Sequence, residues 1–204
     1  MSKDIVTVIK SVNYAEADKI LTVYGKYNGK FVLIAKGIRK IVSKNRGNMQ
    51  TLSTSQISFY EGRGLPILTE SQLIYSPEID SHMDIENVQR VLYMLNKFLV
   101  EGESNQKVFK LLQSILENDM DTLRVNKFRV QILKELGFLS DFKVCEMCES
   151  IDDVSYFNPD NFTAVCKNCY SRNSKGVKLS KDIYGQSVFT EALDKYIKKI
   201  VEEI

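Results

Sequence analysis

Four cysteines occur in the 204-residue chain, as two pairs, Cys145-x-x-Cys148 and Cys166-x-x-Cys169, with seventeen residues between them. Each pair forms a knuckle that turns two thiolates to one side. A connection of about 15–20 residues lets the pairs close a tetrahedron around one ion. Four thiolates leave no position for water, so the expected site is structural: one Zn2+ per chain, held by Cys145, Cys148, Cys166 and Cys169. An iron–sulfur cluster satisfies the same spacing, and vicinal disulfides or redox pairs stay open. A thioredoxin-like motif would need a single CxxC in a βαβ setting. A zinc deaminase would need a His-x-Glu element, but the only histidine, His82, begins His-Met-Asp. The start, MSKDIVTVIKSV, lacks a continuous apolar core of a signal peptide. Apolar runs such as FVLIA (31–35) fall far short of a span of about 20 residues. The expectation is a cytoplasmic protein with no membrane segment, whose reduced thiols bind metal.

The first 78 residues read as strands. IVTVIKSV (5–12), KILTVYG (19–25), KFVLIAK (30–36), SQISFYEG (55–62) and PILTESQLI (66–74) are rich in Val, Ile, Phe, Thr and Tyr, which suit a pleated, half-buried surface. Asn28-Gly29 is a hairpin signal and Gly62-Arg63-Gly64 marks another turn. Five short strands in so few residues predict a small barrel, with the OB-fold as the candidate. Over 79–139 the period changes. Val88, Val91, Leu92, Leu95, Phe98 and Leu99 follow helical spacing towards a stop at Gly102. Ser104 is the expected cap of a second helix with Val108, Leu111, Leu112, Ile115 and Leu116 inward. Asp121 caps a third, with Phe128, Ile132, Leu133 and Leu136 on one face before Gly137. These stripes are read as helical core. Residues 140–175 lose periodicity. A last amphipathic segment runs from a cap at Ser187 to Ile204, with Leu193, Tyr196, Ile197, Ile200 and Val201 apolar.

The net charge of +2 hides a division. Residues 1–78 carry eleven Lys/Arg against six Asp/Glu; residues 79–204 carry 17 against 20. AKGIRKIVSKNRG (35–47) concentrates Lys36, Arg39, Lys40, Lys44 and Arg46, and no acid occurs from Lys19 to Tyr60. Such a cluster creates a local potential of several kT and binds phosphates by displacing counterions. Gly37 and Gly47 bracket it, as in a mobile loop. Tyr14, Tyr24, Tyr27, Phe31, Phe59 and Tyr60 divide between barrel core, expected of Phe31 and Phe59, and platforms for stacked bases. A solvated loop is the plainer reading. Set between strands three and four of a barrel, nucleic-acid contact is favoured, with DNA and RNA both open.

Little supports catalysis. The lone His82 lies at a domain junction, where a solvated linker residue is expected. Neither GxxxxGK[ST] nor GxGxxG occurs. Carboxylate pairs such as Glu16/Asp18 and Asp152/Asp153 read as solvated faces. The chain is expected not to be an enzyme.

Several ordered segments resemble the bacterial RecO family of DNA repair and recombination mediators. They are SVNYAEADKILTVYGKYNGKFVLIAKGIRK, FYEGRGLPILTESQLI (59–74), FRVQILKELGFLSDFKVCEMC (128–148) and YFNPDNFTAVCKNC (156–169). With the boundaries read above, the resemblance implies an α+β, multidomain chain. An N-terminal five-stranded OB-fold β-barrel (1–78) binds nucleic acid. An α-helical domain (79–140 and 176–204) follows, with an inserted four-cysteine zinc-ribbon-like module (141–175). It implies binding to single- and double-stranded DNA, annealing of complementary strands, and action with RecR in loading RecA onto DNA coated by single-strand-binding protein (SSB). RecR, RecF, RecA and the SSB C-terminal tail would be partners, in the bacterial cytoplasm at the nucleoid. The family's basic OB surface falls on Lys36, Arg39, Lys40, Lys44, Arg46 and Arg63. The last segment, KLSKDIYGQSVFTEALDKYIKKIVEEI, is shorter than the family's helical portion. Two other readings compete: an RNA-binding OB and zinc-ribbon protein, and an adaptor whose basic loop meets an acidic peptide.

Overall fold

The computed structural model describes residues 1–79, 82–173, 176–180 and 182–204, without the side chains of residues 82–84 and 173. The expectation for the His82 side chain lies outside the described residues. Two compact units divide the chain, Met1–Met120 and Asp121–Ile204.

The first unit is built on β1 (Ser2–Tyr14), β2 (Asp18–Gly25), β3 (Gly29–Ala35), β4 (Thr54–Tyr60) and β5 (Ile67–Tyr75). They close a barrel in the order β1-β2-β3-β5-β4, with β3 and β5 parallel. This is the expected OB-fold. β1 serves two neighbours: Ser2–Thr7 pairs with β4 and Val6–Tyr14 with β2. An irregularity between Val8 and Lys10 supplies the bend that lets one strand do both. Alternation along the strands places Val6, Val8, Leu21, Val23, Leu33, Ile57 and Phe59 inside.

One glycine and one carboxylate from β1 hold the β2–β3 hairpin. Gly29 has φ +65°, and a Cβ there would lie 2.2 Å from the Glu103 carbonyl oxygen, so conformation and space both demand glycine. The buried Asp4 carboxylate accepts from the Ile5, Tyr27 and Asn28 backbone N–H groups at 2.7, 3.2 and 3.0 Å, and from Asn28 Nδ2 at 2.9 Å.

α1 (His82–Phe98) and α2 (Gln106–Leu116) complete this unit. Val91, Met94, Leu95 and Phe98 bury one face of α1. At its end, Lys30 Nζ donates to the Asn96 and Leu99 carbonyls at 2.8 and 2.9 Å, partnering C-terminal carbonyls that lack helical donors. Burial pushes this ammonium's pKa down. Asn105, not the expected Ser104, caps α2: its Oδ1 accepts from the Lys107 and Val108 N–H groups at 2.9 and 3.1 Å. Both residue types suit that position; the Asn105 N–H is also held by Tyr24 Oη at 3.1 Å.

In the second unit Asp121 caps α3 (Thr122–Glu135) as expected, accepting from Arg124 N–H at 2.8 Å. β6 (Val154–Asn158), β7 (Thr163–Cys166) and β8 (Val177–Lys178) form an antiparallel sheet in the order β7-β6-β8. α4 (Lys167–Asn173) follows the second knuckle and α5 (Ser187–Glu203) ends the chain. Strands of two to five residues are too short to show a period. Ser187 does not cap α5; Gln186 takes that place without a side-chain hydrogen bond. Phe157, Phe162 and Phe189 meet at centroid distances of 5.0–5.3 Å and join the sheet to α5. Arg129 on α3, buried, pairs with Asp194 on α5. No helix among the described residues is long and apolar enough to cross a membrane.

Candidate nucleic-acid interface and metal centre

Residues 36–53 connect β3 to β4 as a run of tight turns laced onto the barrel, where the flanking glycines suggested a loosely held loop. Gly37, at φ +64°, donates its N–H to Asp18 Oδ1 at 2.7 Å. Arg39 N–H donates to the Ala17 carbonyl at 2.9 Å and its Nη1 to that of Glu16 at 3.2 Å. Lys40–Ser43 and Ser43–Arg46 close successive turns. Asn48 Nδ2 donates to the Ser71 carbonyl at 2.8 Å, and Ser71 Oγ to Asn45 Oδ1 at 2.8 Å. Ile38 and Met49 enter the barrel core, and Leu52 N–H bonds to the Val8 carbonyl at 2.8 Å. The connection is therefore both a plug for the barrel and a charged surface.

Lys36, Arg39, Lys40, Lys44 and Arg46 are all exposed, as is Arg63 in the β4–β5 turn. No carboxylate of the described residues pairs with any of them, so their charge faces water. Strand pairing brings three loops to one place. Ala35 pairs with Lys19 just after the β1–β2 turn, and Ile34 pairs with Ile67 just after the β4–β5 turn. These two turns are the loops with which OB-folds grip oligonucleotides, and the cationic connection is rooted between them. Exposed Tyr14 and Tyr60 end the strands that enter these turns, whereas Tyr24 and Phe59 are core and Phe31 packs on Phe59 at 5.3 Å.

Alongside lies a polar groove of about 550 Å³ in which Lys44 and Asn45 face Lys3, Gln56, Ser58 and Gln72, with one carboxylate, Glu70, also in its lining. Lys3 was not singled out from sequence. It is remote from the basic run along the chain, and only the β1–β4 pairing (Lys3 opposite Ser58) brings it there.

The four cysteines converge as their spacing predicts. Their sulfurs all lie within 4.8 Å of one another, with Cys148 Sγ and Cys166 Sγ 3.7 Å apart. A tetrahedral ion with metal–sulfur bonds of about 2.3 Å requires edges of about 3.8 Å, so the donor set fits a metal ion. The first knuckle is a turn closed by Glu149 N–H on the Cys145 carbonyl at 2.9 Å, with Glu149 at φ +57°. The second begins at the end of β7 and continues into α4. Burial opposes ionisation of Cys145, but N–H groups of Cys166, Met147 and Cys148 outweigh it and bring the thiol down to about 6. The neighbouring sulfurs push Cys169 up to about 12, Cys148 foremost. Metal binding must displace the protons that the thiols carry, so it is favoured as pH rises.

The structure thus combines an OB barrel carrying a cationic connection, helices and four cysteines placed to hold a metal ion. The family model described as "Recombination protein O N terminal" matches residues 1–77, and that described as "Recombination protein O C terminal" matches residues 88–185. The DNA repair protein RecO of Syntrophomonas wolfei is 27% identical over 184 residues, covering 86% of this chain and 72% of that protein. That of Desulforamulus reducens is 30% identical, covering 85% and 71%, and that of Moorella thermoacetica 32% identical, covering 70% and 55%. The chain belongs to the RecO family of DNA repair proteins.

Proposed function

We propose that this protein is a non-enzymatic recombination mediator. It binds single- and double-stranded DNA, anneals complementary strands and, with RecR, helps RecA load onto SSB-coated DNA. RecF and the SSB tail are further partners in this reading, in the cytoplasm at the nucleoid. The supporting observation is the exposed cationic connection, which no carboxylate of the described residues pairs, rooted between the β1–β2 and β4–β5 turns of an OB barrel. We assign phosphate contact to Lys36, Arg39, Lys40, Lys44, Arg46 and Arg63, and extend the track to Lys3 across the polar groove. The barrel (1–78) serves as the DNA-binding module, the helices (79–140 and 176–204) as a scaffold, and residues 141–175 as a structural module holding one Zn2+. Among metals, zinc suits four thiolates in a tetrahedron with no open position.

Annealing of SSB-coated complementary strands, with and without RecR, tests the activity. Single-strand affinity should fall with salt at a slope of roughly −3.5 if five phosphates are neutralised. Replacing Lys36, Arg39, Lys40, Lys44 and Arg46 together by Ala should greatly reduce annealing and flatten that slope to the share left by Lys3 and Arg63. Unchanged annealing would remove the assignment, and tighter binding to RNA of the same sequence would move the function away from DNA.

A further inference from the structure

Two side chains at the tip of the cationic connection contradict their surroundings. Ser43 N–H bonds to the Lys40 carbonyl at 3.0 Å, which places Ile41 and Val42 at the two central positions of a tight turn. Gly, Pro, Asn, Asp and Ser dominate such positions, and β-branched residues suit extended strands instead. The two are also the most exposed large apolar side chains among the described residues, at 90% and 85%. Ile38, Met49 and Leu52 of the same connection are all buried. The segment therefore has places for apolar side chains, and these two are held outside. Where a sequence breaks its local rules without a structural gain, a functional cause is the expectation.

The chemistry around the pair limits what they can touch. Arg39 and Lys40 precede them, Lys44 follows, and no carboxylate of the described residues neutralises these cations. The apolar centre of a protein–protein interface is depleted of charge, so a ring of like charges does not suit an apolar protein patch. It suits a ligand with anionic edges and apolar faces. Nucleic acid has both: phosphates that Lys and Arg hold, and base planes separated by a step into which aliphatic side chains insert.

We propose that Ile41 and Val42 form an apolar wedge that enters between adjacent bases of a single DNA strand, while the surrounding cations hold its phosphates. The proposal rests on the DNA-binding reading above and adds a role for the tip: it holds neighbouring bases apart. A strand held this way cannot restack or fold back on itself, which leaves its pairing edges open to a complement.

A single-stranded oligonucleotide carrying 2-aminopurine between adenines tests the wedge, because its emission rises when the base is unstacked. The intact chain should raise the emission on binding. The Ile41→Ser/Val42→Ser variant should bind with the same salt slope and lose the rise, and Ile41→Leu/Val42→Ile should restore it. Both altered side chains are exposed, and an unchanged thermal transition checks that the variant is folded. An equal rise with wild type and the Ser variant overturns the wedge and leaves the DNA reading standing. No binding of the oligonucleotide by the wild type overturns both. Binding to phosphatidylglycerol vesicles that the Ser variant abolishes, with emission unchanged, makes the tip a lipid contact and likewise overturns the proposal.

Discussion

Eleven buried apolar residues from the five strands and the β3–β4 connection fill the barrel. Around the sulfurs of the cysteine module the buried cluster is small: Val165 with Cys145 and Cys166, edged by half-buried Val154, Tyr156 and Tyr170. The barrel's ladder closes on itself, so its strands leave no open edge. The module's three strands span only two to five residues, and its largest buried apolar side chains, Phe157 and Phe162, pack on α5 and not around the sulfurs. Hydrophobic closure is thus sufficient for one region. In the other, the aromatic contacts of Phe157 and Phe162 with α5 supply the packing, and a metal ion held by the four cysteines would supply what packing does not. A metal on these sulfurs would fasten a small sheet, a role different in kind from the phosphate contact proposed for the charged surface.

Metal removal should break this contrast most visibly. Structural four-ligand zinc sites have apparent binding free energies on the order of 10 kcal/mol, which is folding energy. Chelation, or Cys145→Ser, should therefore strip hydrogen-exchange protection from residues 145–173 while strands β1–β5 keep theirs. Elemental analysis should give about one metal ion per native chain. Protection of the module that survives metal loss would show that its aromatic contacts suffice, and the contrast would fall. The converse experiment empties part of the barrel. Leu33, fully buried in the barrel core, replaced by Ala should cost about 2–5 kcal/mol, lowering the first unit's urea midpoint with metal content unchanged. A loss below about 1 kcal/mol would mean that the barrel does not depend on its core in this way.

The same contrast explains what could be read before any coordinates. The barrel was legible because period-two alternation and the Asn28-Gly29 turn are local signals, and the inward residues of the strands follow them. The metal centre was legible for the opposite reason: spacing alone names four ligands, although β6, β7 and β8 around them left no periodic trace. The charged connection lay between. Its composition pointed to an anionic ligand, but Ile38 and Met49 plug the barrel, a role no pattern of charge reveals. Lys3 could not be found by proximity along the chain, because strand pairing, not sequence distance, brings it to the groove beside Lys44. The Asp121 cap was legible outright, those of α2 and α5 only to within a residue: Ser104 and Asn105 both suit the role chemically, and the choice falls to tertiary contacts.

That choice gives the smallest and most discriminating prediction. Asn105 Oδ1 accepts two N–H groups of α2, and the Asn105 backbone N–H and carbonyl both engage Tyr24 Oη. Asn105→Ala keeps the backbone contacts and deletes only the cap, so it should cost about 1 kcal/mol in urea unfolding. Ser104, exposed and one residue outside, should tolerate Ala within about 0.5 kcal/mol. The Tyr24 hydroxyl, whose ionisation burial disfavours, stays neutral near pH 7 and can both donate and accept there, so the difference between the two variants should not change between pH 6 and 8. Equal costs would mean that the helix start slides to Ser104 when Asn105 is lost. The junction between barrel and α2 would then be held by apolar packing alone, as the barrel interior is, without the polar fastening that Tyr24 and Asn105 provide.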